Sequence, residues 1–83
     1  MKPKQVRLFI KPHCPWCHEA IAWLAARGLA HQTLDVIADA SAFREMLLLS
    51  HQTSAPVIDV DGHVLADFDT GQLEAFWKRL GLD

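Results

Sequence analysis

The sequence predicts an α/β fold in which a four-stranded mixed sheet is flanked by helices, in the order β-α-β-α-β-β-α. Near the N-terminus, a β-branched apolar run, a helical pattern and a second strand-like run follow one another, which is typical of a parallel strand pair. Later in the chain, two short apolar runs flank Asp61-Gly62, a pair typical of an antiparallel hairpin. The chain has 83 residues, of which 51% are hydrophobic, so we expect one globular domain over residues 1–83.

The first strand is predicted over the mostly apolar run Val6–Ile10. The helix that follows begins at Pro15, because a proline's missing N–H costs nothing at the first helical position. This helix extends to about Arg27, where Gly28 provides a C-terminal cap. Its buried stripe is expected to contain Cys17, Ala20, Ile21 and Leu24.

The second strand and the second helix are predicted in the middle of the chain. His31–Val36 can form a strand of alternating character. We expect the helix to begin near Asp39 or Ser41, since either side chain can accept hydrogen bonds from the N–H groups of the first turn. The inner face of this helix is expected to contain Phe43, Met46, Leu47 and Ser50.

The C-terminal part is predicted to contain a hairpin followed by the last helix. Val57–Val60 and His63–Ala66 are its third and fourth strands. Asp69 can cap the last helix, with Gln72 three residues later as in a capping box. Gly81 ends this helix. Its apolar stripe is expected to contain Leu73, Phe76, Trp77 and Leu80.

Composition and charge argue against several classes of protein. The formal net charge of −2 provides no general attraction to nucleic acid or to an anionic membrane. The longest apolar run, Ala20–Ala26, is too short to span a bilayer, and no signal-type apolar stretch follows the basic N-terminus. We therefore expect a cytoplasmic, monomeric protein that binds neither nucleic acid nor membrane. A solvated surface is expected to contain Arg7, Glu19, Arg27, Arg44, Glu45, Glu74, Lys78 and Arg79.

The two cysteines of the chain, Cys14 and Cys17, indicate a redox centre. They stand between the first strand and the first helix, in the context of a dithiol/disulfide pair. At the helix N-terminus, unpaired backbone N–H groups and the helix dipole favour a thiolate at Cys14, and the thiolate is the form that attacks a disulfide. Cys17, one turn further along the same face, can then resolve the mixed disulfide.

A metal site is the alternative chemistry for these thiolates. His13 and His18 flank the pair, but zinc requires four ligands, and Pro15 and the helix restrict adjacent histidines from closing on one ion. We therefore expect no metal, and we place both histidines on the surface, where they modestly tune the thiolate. The competing hypothesis is a binding module that carries a metal or a shared iron–sulfur cluster through Cys14.

The chain resembles the glutaredoxin family over nearly its whole length. Lys11 stands three residues before the first cysteine, and the Cys-Pro-Trp-Cys segment resembles the family's Cys-Pro-Tyr-Cys. Residues 52–57, Gln-Thr-Ser-Ala-Pro-Val, resemble the segment that contains the family's cis-proline. Phe68-Asp69 corresponds to the end of the family's Gly-Gly-x-Asp segment.

This resemblance implies a thioredoxin fold and a thiol–disulfide oxidoreductase that reduces protein disulfides or glutathione mixed disulfides. Cys14 would be the nucleophile and Cys17 the resolving thiol. Glutathione would be the reductant that returns the enzyme to its dithiol form. Trp16, which stands between the cysteines, is expected to face the substrate.

The resemblance also implies a substrate-binding site around the dithiol. Pro56 would be cis and packed beside the cysteines, and the backbone of Ala55 would pair with a bound peptide. Lys11 would face the glycine carboxylate of glutathione. Asp69 and the Phe68–Asp69 backbone would hold its γ-glutamyl end.

The chain departs from the family pattern at two places. Ala66 and Asp67 replace the two glycines of Gly-Gly-x-Asp, and the usual Thr-Val-Pro reads Ser-Ala-Pro. Because Asp67 adds a negative charge where an anionic tripeptide would approach, we expect weaker glutathione binding than in a Gly-Gly relative. The alternative within this class is a redoxin that is re-reduced by thioredoxin reductase and donates electrons to ribonucleotide reductase. The usual C-terminal aromatic-Gly-Phe-Arg-Pro pattern of those redoxins is missing here.

Overall fold

The computed structural model describes residues 2–82 and confirms the predicted order of elements. The strands are β1 (Val6–Ile10), β2 (Gln32–Asp35), β3 (Val57–Val60) and β4 (His63–Ala66), and the helices are α1 (Pro15–Ala26), α2 (Ala40–Ser50) and α3 (Thr70–Arg79). The strands form one sheet in the order β2-β1-β3-β4. The β1–β2 pair is parallel, whereas the β1–β3 and β3–β4 pairs are antiparallel, as in a thioredoxin fold.

Each helix begins at a side chain that accepts a hydrogen bond from the first turn. Asp39, rather than Ser41, caps α2. Asp69 and Gln72 form the expected capping box at the start of α3. At the start of α1, the capping atom is the sulfur of Cys14. The position that would normally stabilise a helix end is therefore occupied here by a reactive group.

The sheet separates two apolar clusters. One lies on the face covered by α1 and α3, and the other on the face covered by α2. The first cluster is built around Leu8, Leu24, Ile58, Leu73 and Trp77, and the second around Phe9, Val36, Ala42, Met46 and Val57. All four residues of β3 are buried, so this central strand contributes to both clusters. In the described residues, no helix is long and apolar enough to cross a membrane.

The sequence-based prediction was wrong in one strand and on one helix face. The second strand is Gln32–Asp35 rather than His31–Val36, because the parallel register pairs only these residues with the end of β1. In α2, Leu47 is 40% exposed instead of facing inward. Ala42 and Met46, spaced one helical turn apart, are buried in its place. Because Leu47, Leu48 and Leu49 are consecutive, the apolar pattern does not indicate which side of the helix faces the sheet.

Arg7 was expected on a solvated surface, but its side chain is largely buried in an ion-pair network. Its Nε and Nη2 atoms donate to Asp59 Oδ2 at 3.1 and 2.7 Å, and its Nη1 atom donates to Glu45 Oε2 at 2.6 Å. Asp59 is buried, and its Oδ1 atom accepts the N–H of Gly62 at 2.9 Å. The hydrogen bonds to Glu45 and Asp59 raise the pKa of Arg7. This ion-pair network joins β1, β3 and α2.

Candidate active site

The two cysteines lie where β1 leads into α1, and they differ sharply in exposure. Cys14 is partly exposed, whereas Cys17 is fully buried within α1, and both are free thiols. The N–H of Cys17 points at Cys14 Sγ from 3.2 Å. A backbone N–H aimed at a sulfur stabilises the negative charge of a thiolate. A substrate can therefore reach the sulfur of Cys14, whereas the surrounding protein shields the sulfur of Cys17.

The environment of Cys17 keeps its thiol protonated. Burial, and then the hydrogen bond with Cys14, raise the pKa of Cys17 to about 12. The main-chain N–H and the charge of Lys11 offset this rise only in part. A neutral thiol is a poorer nucleophile than a thiolate.

The loop before β3 places a free backbone edge beside Cys14. The Ala55–Pro56 peptide bond is cis, as predicted, and Pro56 is buried. The carbonyl oxygen of Ala55 lies 3.8 Å from Cys14 Sγ and can accept a hydrogen bond from the thiol. The N–H of Ala55 has no hydrogen-bond partner among residues 2–82. An extended substrate can therefore pair with Ala55 next to the reactive sulfur.

The same loop is held in place by side chains. Lys11 Nζ donates to the carbonyl of Thr53 at 2.9 Å. The amide of Gln52 accepts the N–H of Ser54 at 2.7 Å and donates to the carbonyl of Ser54 at 2.9 Å and to Ser50 Oγ at 3.0 Å. Sequence reasoning missed this role of Gln52, since nothing in a short polar segment distinguishes a bracing glutamine from an exposed one.

A cleft of about 210 Å³ lies beside the dithiol. It is lined by Trp16, Asp67, Phe68, Asp69 and Gln72. Trp16 is 53% exposed, so its ring is available to a ligand. The ring of Phe68 belongs to the core, which leaves its main chain as the part that can meet a substrate. Its N–H has no hydrogen-bond partner in the described chain.

The two aspartates of the cleft are held differently. Asp69 Oδ1 accepts the N–H of Gln72 at 2.8 Å as the cap of α3. Asp67 has a left-handed backbone, with φ of 53°, and its N–H donates to the carbonyl of Pro56 at 2.8 Å. The carboxylate of Asp67 is exposed and makes neither a hydrogen bond nor an ion pair with any described residue.

The structure thus brings the predicted site residues to one end of the sheet. Cys14 and Ala55 are in direct contact, and Trp16 and Asp69 line the adjoining cleft. His13 and His18 are both exposed. Among residues 2–82, no group of three or more histidine, cysteine, aspartate or glutamate side chains is arranged to hold a metal ion.

A dithiol at the start of a helix, beside a cis-proline loop on a thioredoxin fold, defines a small thiol–disulfide oxidoreductase. The family model for glutaredoxin matches residues 6–65, and the chain belongs to the glutaredoxin family. It is 35% identical to glutaredoxin 3 of Escherichia coli over 78 residues, which cover 94% of this chain and 92% of that protein.

Two further likenesses support the same class. An uncharacterized glutaredoxin-like 8.6 kDa protein in the rubredoxin operon of Clostridium pasteurianum is 28% identical over 74 residues, which cover 89% of this chain and 99% of that one. The crystal structure of a thioredoxin-like protein superposes with a TM-score of 0.79 at 28% identity, covering 86% of this chain and 97% of the other. The protein is therefore a glutaredoxin-like enzyme.

Proposed function

We propose that Cys14 is the nucleophile and Cys17 the resolving thiol in the reduction of protein disulfides and glutathione mixed disulfides. The Cys14 thiolate attacks one sulfur of the substrate, forms a mixed disulfide and releases the other half as a thiolate. Cys17 then loses its proton and attacks Cys14 Sγ, which releases the second half and leaves a Cys14–Cys17 disulfide. Two electrons pass from the dithiol to the substrate. The contrast in burial between the two sulfurs is the observation that supports these roles.

We also propose glutathione as the reductant of this disulfide. Two glutathione molecules restore the dithiol and leave as glutathione disulfide. Trp16 and the free N–H of Phe68, next to the positive end of α3, suit the γ-glutamyl part of glutathione. Lys11 suits its glycine carboxylate, for which its ammonium group retains donors beyond the one directed at Thr53.

A coupled assay tests the choice of reductant. The substrate is a mixed disulfide of glutathione and a short cysteine peptide, and turnover is followed as NADPH consumption. One arm contains glutathione with glutathione reductase, and the other contains thioredoxin reductase alone. We expect turnover in the glutathione arm. Turnover only with thioredoxin reductase would overturn the choice of glutathione while keeping the oxidoreductase chemistry.

Re-reduction by thioredoxin reductase is the second candidate, because Asp67 places an unpaired negative charge in the cleft where glutathione would lie. A third candidate, a cluster or metal carrier acting through Cys14, is tested by elemental analysis of protein purified without oxygen. Iron or zinc bound in stoichiometric amount and lost in Cys14→Ser would support it, and a metal-free protein would remove it.

A further inference from the structure

Asp67 is linked to Cys14 through the Ala55–Pro56 segment. Its N–H donates to the carbonyl of Pro56 at 2.8 Å, and the adjoining Ala55 carbonyl lies 3.8 Å from Cys14 Sγ. Asp67 also lines the cleft that begins at Trp16. A substrate half that is bonded to Cys14 and lies in this cleft therefore passes the carboxylate of Asp67.

Among residues 2–82, no lysine, arginine or histidine side chain lines this cleft. The residues that form it are two aspartates, a glutamine and two aromatic side chains. One carboxylate oxygen of Asp69 accepts the N–H of Gln72, whereas both oxygens of Asp67 have no partner in the described chain. Lys11 lies outside the cleft lining, with its ammonium group against the carbonyl of Thr53. Within the cleft itself, the charged lining residues are therefore Asp67 and Asp69, and both are negative.

We propose that Asp67 is a specificity-determining residue that makes the enzyme prefer disulfides with a positive charge next to the reacting cysteine, above all in basic peptide segments. Anionic disulfides, including those of glutathione, are correspondingly disfavoured. The proposal rests on the proposed function, because it requires that the substrate half bonded to Cys14 occupies the cleft.

The carboxylate of Asp67 makes no contact that a neutral side chain of the same shape would lose in the described chain. The backbone φ of Asp67, 53°, is a conformation that glycine adopts most easily and that aspartate and asparagine tolerate. Its side chain makes no hydrogen bond or ion pair that would stabilise this turn. Replacement by asparagine therefore removes the charge and leaves the local structure unchanged.

Asp61 provides a matched control. It has the same left-handed backbone, with φ of 52°, and it is exposed. It follows the last residue of β3, whereas the Ala55–Pro56 segment precedes the first. Asp61→Asn therefore removes one negative charge in the same backbone conformation at the opposite end of the strand.

The test uses three mixed disulfides of one short peptide with the same small neutral thiol. They differ only in the residue next to the cysteine, which is lysine, glutamine or glutamate. Each protein is first reduced to its dithiol and separated from the reductant, so that Cys14 and Cys17 supply the two electrons of a single turnover. The second-order rate constant for reduction of each peptide is then measured for the parent enzyme, Asp67→Asn and Asp61→Asn at low and at high salt. We expect the parent to prefer the lysine peptide over the glutamate peptide by about fivefold at low salt and less at high salt.

The Asp67→Asn variant should reduce this ratio to within about twofold of unity, and Asp61→Asn should retain it. Equal rates for the three peptides with the parent enzyme, a preference for glutamate, or an undiminished ratio in Asp67→Asn would overturn the role of Asp67. In each of those cases the enzyme still reduces disulfides, so the proposed chemistry stands. Absence of reduction of all three peptides would instead overturn both.

Discussion

The two ends of the sheet use the same backbone conformation for different purposes. At the hairpin end, where β3 turns into β4, Asp61 accepts the N–H groups of Lys4 and Gln5 at 2.9 and 2.7 Å. At the dithiol end, where β4 finishes, Asp67 has the same left-handed backbone, but its carboxylate has no partner in the described chain. The N–H of Ala55 is likewise unpaired at this end.

This difference separates groups that stabilise the fold from groups that can bind a ligand. At the hairpin end, every carboxylate oxygen of Asp59 and Asp61 accepts at least one hydrogen bond from elsewhere in the chain. The dithiol end of the sheet holds a partly exposed sulfur, together with a carboxylate and N–H groups that have no partner among residues 2–82. Sites of chemistry commonly retain such unused polar groups, because a substrate completes them.

The largest expected effect is the loss of activity in Cys14→Ser. A serine hydroxyl is a far weaker nucleophile than a thiolate, so the reduction of a peptide–glutathione mixed disulfide should fall by at least about 10³-fold. Stability should change little, since serine is a favourable helix cap. Full activity in Cys14→Ser would show that another group is the nucleophile. Cys17→Ser is the control, because glutathione can itself release the mixed disulfide.

At the other end, the largest expected effect is a loss of stability in Asp59→Ala. Its side chain is only 8% exposed, and its removal leaves Glu45 as the one carboxylate within residues 2–82 that pairs with the guanidinium of Arg7. We expect the free energy of unfolding in urea to fall by about 2–3 kcal/mol, below the full effect of a buried pair because Glu45 remains. Disulfide reduction at 25 °C should be unchanged.

Glu45→Gln is the control for this network. Its side chain is 45% exposed, so its loss should cost less than that of Asp59. An equal cost for the two substitutions would contradict the argument that the buried carboxylate contributes more. A loss of activity in Asp59→Ala while the protein remains folded would contradict the separation between the two ends of the sheet.

Short-range signals account for what the sequence could predict. The Cys-Pro-Trp-Cys segment, the Asp69 cap and the Asp61-Gly62 turn are each contained within a few neighbouring residues. Propensity and capping rules act over such distances, and these elements were therefore predicted correctly. The cis form of Pro56 was predicted from family resemblance rather than from the residues themselves.

Long-range pairings account for what the sequence could not predict. Arg7 and Asp59 are separated by 52 positions, so no local pattern shows that they meet across the β1–β3 register. The same holds for Lys11 and Thr53, which are 42 positions apart. Asp67, which has a left-handed backbone, likewise donates its N–H to the carbonyl of Pro56, 11 positions earlier in the chain.

Glycine substitutions at Asp61 and Asp67, the two aspartates with a left-handed backbone, test the difference between the two ends of the sheet. Asp67→Gly removes a negative charge and a Cβ from the cleft, so we expect KM for a glutathione mixed disulfide to fall by about twofold to threefold, more clearly at low salt. Asp61→Gly should leave that KM unchanged and lower the urea midpoint, because two N–H groups lose their acceptor. A raised KM in Asp67→Gly would show that its side chain assists glutathione binding.

The smallest expected effect is a change in acid stability at the hairpin end. Hydrogen bonds from the N–H groups of Lys4 and Gln5 lower the pKa of Asp61 below its usual value of 3.8. At pH values above the usual pKa, the carboxylate stabilises the folded state in full. This contribution is lost as the pH falls through the lower pKa of the folded state. Urea midpoints measured from pH 6 to pH 2.5 should fall less steeply in Asp61→Asn than in the parent.

Asp67→Asn serves as the comparison, since the Asp67 carboxylate of the parent accepts no N–H from the described chain. An acid dependence unchanged in Asp61→Asn would show that its two hydrogen bonds do not persist in solution.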